Sequence, residues 1–112
     1  MAISQLAVYS LLLASNMPQQ DAQTMMCIIE HESRWNPKAI NHHNTNKTKD
    51  YGLFQINTVN HKKCGMTPEE LLHPRPNLKC ALLVYEDQGL KAWATYKKCK
   101  KPENRVDIAS LN

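Results

Sequence analysis

Glycine is nearly missing from this chain of 112 residues: three are present, with six prolines, which excludes collagen-like and low-complexity architectures. No apolar run approaches the ~18 residues of a membrane span, the longest candidates being Leu11-Leu12-Leu13-Ala14 and Met25 to Ile29, so no segment is expected to cross a bilayer. The cysteines at 27, 64, 80 and 99 contain no Cys-x-x-Cys and have no histidine at zinc-finger spacing, so no metal site is expected. His42 and His43 sit side by side in a polar stretch without a third partner and are read as solvent residues. Aromatics number seven, with no RNP-like run, so nucleic acid is not an expected partner. No cofactor is implied.

What remains is one domain's worth of ordinary globular sequence, with 42% hydrophobic and 21% charged residues. Net charge is +4, concentrated in Lys97-Lys98-Cys99-Lys100-Lys101; such a run reads as a solvated face, with steering toward a polyanion as the functional alternative. An even cysteine count in a small chain fits an oxidising setting: periplasm, cell surface, virion or medium. Three pairings of four cysteines are open. No signal peptide is recognised, because Met1 to Ser15 lacks a basic n-region and Asn16-Met17-Pro18-Gln19-Gln20 makes a poor cleavage site. That stretch is expected to be a first helix, with residues 6, 9, 12 and 13 on its apolar face.

A second helix is predicted over 19–33, with Pro18 at its start, Asp21 in its first turn and Ala22, Met25, Met26 and Ile29 facing the core. The same i, i+3, i+4, i+7 stripe runs on to Glu32. Pro37 ends the helix, and the polar residues 41–50 form a loop or small hairpin leading to Tyr51-Gly52-Leu53-Phe54-Gln55-Ile56-Asn57, a strand or tight turn. Thr67-Pro68-Glu69-Glu70 reads as a capping box opening a short helix that stops at Pro74. Another helix is predicted over 77–88, with Leu78, Ala81, Leu82 and Tyr85 on one face and Gly89 after its end. A last short helix carries Trp93 and Tyr96. Residues 1–99 are expected to form the domain and 100–112 a polar tail.

Two acids stand in opposite surroundings. Glu32 closes a buried helix face, where apolar neighbours and the negative helix terminus both raise its pKa, whereas Asp50 follows a loop rich in amides and hydroxyls. Glycosidic hydrolysis needs that asymmetry, with one carboxyl protonated for the leaving oxygen and one anionic. By spacing alone, a buried structural glutamate explains Glu32 as well.

The residues themselves resemble a known family. Glu32-Ser33-Arg34-Trp35-Asn36-Pro37-Lys38-Ala39 and Gly52-Leu53-Phe54-Gln55-Ile56 are similar to the signatures of lytic transglycosylases and bacteriophage wall-lysis domains. Asp50-Tyr51-Gly52-Leu53-Phe54-Gln55-Ile56-Asn57 is similar to c-type lysozymes. The resemblance covers residues 22–99 and implies the lysozyme superfamily, of bacteriophage or bacterial kind. The fold it implies is mainly α, a small helical α+β domain with a loop or β-hairpin segment flanking a cleft.

It also implies Glu32 as general acid, Asp50 as second carboxylate, and peptidoglycan as substrate, cleaved by a retaining muramidase reaction between N-acetylmuramic acid and N-acetylglucosamine. A lytic transglycosylase giving 1,6-anhydro ends is the alternative, and a non-catalytic glycan-binding relative the third reading. Tyr51, Gln55 and Asn57 are the substrate-binding candidates, Tyr51 equally a core residue. Disulfides Cys27–Cys99 and Cys64–Cys80 follow from the same resemblance. Departures are the absence of two further bridges and Thr58-Val59-Asn60-His61 where animal lysozymes carry a tryptophan-bearing stretch. The expected setting is extracytoplasmic, whether secreted, periplasmic or virion-associated. The chain is expected to act as a monomer or as a component of a virion or secretion assembly.

Overall fold

A computed structural model describes residues 3–42 and 47–111; His43 lies outside them. The first helix, α1 (Gln5–Ala14), is capped by the Ser4 hydroxyl, which accepts the Ala7 N–H at 3.0 Å. Its buried face is Val8, Tyr9 and Leu12, while Leu6 and Leu13, expected inside, are exposed. The segment is apolar almost all round, so its periodicity leaves the choice of face to its neighbours.

Helix α2 (Gln19–Ser33) has the predicted bounds and is the centre of the core. Ala22, Met25, Met26 and Ile29 are buried as expected, joined by Thr24, Cys27 and Ile28. An element buried on nearly every side is wrapped by the rest of the chain. It stops before Pro37, because Arg34 (φ 53°) and Trp35 (φ 63°) both turn left-handed and the Arg34 N–H closes on the Glu30 carbonyl.

Three two-residue strands follow: β1 (Ile40–Asn41), β2 (Asp50–Tyr51) and β3 (Ile56–Asn57). They form an antiparallel sheet in the order β1-β2-β3, with Asp50 opposite Asn41 on one side and Asn57 on the other. Residues 51–57 are thus strand and tight turn together, and Gly52 (φ 76°) makes the turn. An added Cβ there would collide with the Leu71 carbonyl oxygen and Asn77 Nδ2.

Helix α3 (Thr58–Cys64) was not foreseen; it buries no residue and is defined by its ends, an Asn57 cap and the left-handed Gly65. The Thr67–Glu70 capping box forms in both directions, but it opens a single 3-10 turn, Glu70–Leu72, that buries Leu71. That element closes just before Pro74, as expected, but Pro74 also opens a helix. It begins α4 (Pro74–Gln88), at the first position, where a missing N–H costs nothing. Asn77, Leu78, Cys80, Ala81 and Val84 form its buried face, so Leu82 and Tyr85 lie at its margin. The Tyr85 hydroxyl donates to the Asp21 carboxylate, tying α4 to α2; burial first, then that bond and charge, push the phenol up to about 12.

A 3-10 turn at Leu90–Ala92 and the short α5 (Tyr96–Cys99) complete the body. Disulfides join Cys27 to Cys99 and Cys64 to Cys80, as the resemblance implied. In the chain-entropy picture the two contribute about 4 and about 3 kcal/mol. Beyond them, residues 100–111 make two further 3-10 turns; Val106 donates its N–H to the Gln23 carbonyl and, with Leu111, packs on the core. Among the described residues no helix is long and apolar enough to cross a membrane.

Candidate active site

Glu32 is the penultimate residue of α2, on the stripe that runs through Met25, Ile28 and Ile29. The helix therefore carries a carboxyl group to the rim of the core, where it is half-buried. Burial is the largest influence on it and lifts its pKa above the ordinary 4.5. A hydrogen bond from Thr95 Oγ1 to Glu32 Oε2, 2.9 Å long, opposes that rise; the negative charge of Asp50 adds to it, and the Thr95 backbone N–H again opposes it. The net direction is upward.

Asp50 faces the same cleft from the sheet. Its cross-strand partner Asn57 donates from Nδ2 to Asp50 Oδ1 at 2.9 Å and to Thr48 Oγ1 at 2.9 Å, while Asn57 Oδ1 accepts the Val59 N–H at 3.0 Å. One amide thus holds the carboxylate and caps α3. The cleft, about 370 Å³, is lined by Glu32, Asp50, Gln55, Asn57, Asn60 and Trp93, among others. A second hollow of about 310 Å³ shares Glu32 and Gln55 and passes Arg34, Ile40 and Asn41. Glu32 and Gln55 therefore line both hollows.

Of the binding candidates, Gln55 and Asn57 line the cleft, and Tyr51 does not; it packs against the core. Gln55 is buried in a left-handed conformation (φ 49°), and its Nε2 donates to the carbonyls of Ala39 and Gly52, both at 3.1 Å. Its amide nitrogen braces the loop.

Three further residues support the site. Asn77, fully buried, accepts the Phe54 N–H through Oδ1 at 2.8 Å and donates from Nδ2 to the Tyr51 and Leu71 carbonyls, each at 2.8 Å. Trp93 lines the cleft and also donates from Nε1 to the Phe54 carbonyl at 2.7 Å. Thr95 reaches Glu32 itself. An asparagine in a helix and a threonine in a turn carry no sequence signal of such roles; the partners are supplied by tertiary packing.

Cys27, His31 and Cys99 bring a ligand atom each within 4.8 Å, but both sulfurs are spent in the disulfide, so no thiolate is available to a metal ion.

Comparison with known proteins agrees with this geometry. Residues 11–88 match the model of the family described as the transglycosylase SLT domain. Lysozyme 2 of Lucilia sericata is 36% identical over 102 residues, covering 80% of this chain and 72% of its own. Lysozyme P of Drosophila melanogaster is 31% identical over 94 residues, covering 73% and 67%. Among solved structures, a lysozyme from Litopenaeus vannamei superimposes with a TM-score of 0.72 at 28% identity, covering 93% of this chain and 92% of that one. The lysozyme of Equus asinus gives 0.72 at 27% identity, covering 97% and 94%.

Proposed function

The chain belongs to the transglycosylase SLT domain and lysozyme family, and from that premise we propose that Glu32 is the general acid and Asp50 the second carboxylate of its glycosidase reaction. The enzyme is a lysozyme-type glycosidase that cleaves the glycan strands of peptidoglycan. The observation that carries the assignment is a half-buried glutamate with raised pKa, in a cleft whose opposite wall holds a hydrogen-bonded aspartate. Lysozyme is the type case of this division of labour, so the chemistry is shared and the placement on these residues is ours.

Glu32 donates its proton to the oxygen between N-acetylmuramic acid and N-acetylglucosamine as the bond breaks. Asp50 meets the oxocarbenium centre, stabilising or attacking it, and water, deprotonated by the Glu32 carboxylate, completes a retaining hydrolysis. Asn57 orients Asp50, and Gln55 shapes the floor on which the sugars lie. The match to the transglycosylase domain supports a second reading, in which the substrate's own C6 hydroxyl takes the place of water and yields 1,6-anhydro ends. Two disulfides suit an oxidising setting outside the cytoplasm, and we read the domain as secreted, periplasmic or virion-borne.

Mass spectrometry of digested cell wall distinguishes the outcomes. Reducing muramic ends establish hydrolysis, 1,6-anhydro ends transglycosylation, and uncut glycan a binding protein. Glu32→Gln is expected to abolish cleavage; retained cleavage rejects the assignment of the acid.

A further inference from the structure

We infer that Thr95 is a positioning residue for the acid: its hydroxyl, 2.9 Å from Glu32 Oε2, donates to that oxygen and holds the carboxyl group in place at the cleft. The inference rests on the reading of Glu32 as the general acid and adds the group that positions it. The carboxyl group turns about a soft terminal torsion, and a hydroxyl donor fixed on one of its oxygens limits that turn.

The donor and acceptor are held by a short framework. Thr95 sits at the start of α5, and its carbonyl accepts the N–H groups of Lys98 at 3.1 Å and Cys99 at 3.0 Å. Cys99 is bonded to Cys27, which lies five residues before Glu32 on α2. Thr95 and Glu32 are therefore fixed from opposite sides of one disulfide, each a single helical turn or so away from it. Burial supports the same view, since a half-buried carboxyl loses water on the side that Thr95 covers.

The bond also changes character during the reaction. As Glu32 gives up its proton it becomes a carboxylate, and the Thr95 hydrogen bond becomes charge-assisted and stronger. An interaction that strengthens toward the transition state raises the rate, whereas one made equally in the ground state does not. The other charged or titratable groups around Glu32 are Asp50 on β2, which lines the same cleft, and His31 and Arg34 at its own helix end beside the neighbouring hollow. Lys97 and Lys98 on α5 are solvent-exposed. Among the described residues, the recorded hydrogen bonds to the Glu32 carboxyl come from Thr95.

Thr95→Val removes the donor at constant volume, Thr95→Ala removes it without crowding the site, and Thr95→Ser retains it. Two measurements apply to each folded variant: the Glu32 titration followed by carboxyl 13C NMR, and the pH profile of kcat and KM on an alternating N-acetylglucosamine and N-acetylmuramic acid tetrasaccharide. In Val and Ala, the NMR midpoint and the alkaline limb of kcat are expected to move up together, and plateau kcat to fall on the order of tenfold with KM unchanged. Ser should match the parent in both. A Val or Ala variant with parental midpoint and kcat overturns the inference, as does a Ser variant that behaves like Val. An active Glu32→Gln protein rejects the acid itself, while an inactive one beside an unmoved Thr95→Val rejects only the role of Thr95.

Discussion

Replacing Asn77 with leucine keeps the volume of the side chain and deletes its amide. Three backbone groups then lose their partner: the Phe54 N–H, the Tyr51 carbonyl and the Leu71 carbonyl. The bonds to Phe54 and Leu71 are buried, and the one to Tyr51 is partly so. An orphaned buried polar group costs about 1–3 kcal/mol, so the substitution should cost about 3–6 kcal/mol in all. Domains of this kind are stable by about 5–15 kcal/mol, which makes the loss a large share of the whole. Thermal unfolding followed by circular dichroism should show a drop in Tm of about 10 °C or more. Asn77→Asp is the companion variant: it can still accept from Phe54 but turns an oxygen toward two carbonyls, and should be destabilised at neutral pH as well. A leucine variant within 1 kcal/mol of the parent would refute the reasoning, because it would mean that water or local relaxation satisfies all three groups.

Two glycines with the same left-handed backbone offer a matched contrast. Gly52→Ala meets the Leu71 carbonyl and Asn77 and should cost about 3 kcal/mol or more, whereas Gly65→Ala meets nothing within 4 Å and should cost about 1 kcal/mol of backbone strain; equal losses in chemical denaturation would contradict the packing described for Gly52. The acid makes a prediction for stability as well as for catalysis. Because the folded-state pKa of Glu32 is raised above 4.5, the folded protein holds a proton that the unfolded chain has released, and stability falls as pH rises through that window. Glu32→Gln cannot ionise, so its melting temperature should exceed that of the parent at pH 7 by more than at pH 4; the same offset at both would sink the claim.

What the sequence disclosed depended on whether a local rule governed the element. Helix α2 kept its predicted bounds because its apolar stripe and Pro18 act within one segment; that stripe put Glu32 on the core face, and the family resemblance implied its role. The polar run before Asp50 announced a loop or small hairpin, and the family resemblance picked out its acid. Helix α3 was not legible, since it has no apolar stripe and is made by two caps. Pro74 marked the stop of one element but not the start of α4, because proline ends one element and begins another under the same backbone constraint. Asn77 and Thr95 were invisible for a further reason. All but one of their partners lie 23 to 63 residues away, so neither spacing nor propensity could announce them.

The covalent bridges are confined to the helices: one ties α2 to α5, the other α3 to α4. The hairpin that presents Asp50 has no such stitch and is moored to the helical body through the Asn77 amide and the Trp93 indole, which grip the two faces of the Phe54 peptide and its neighbour. One jaw is welded and the other is latched. The wall that carries Glu32 is thus held by covalent bonds, and the wall that carries Asp50 by hydrogen bonds and the packing of Leu53, Phe54 and Ile56.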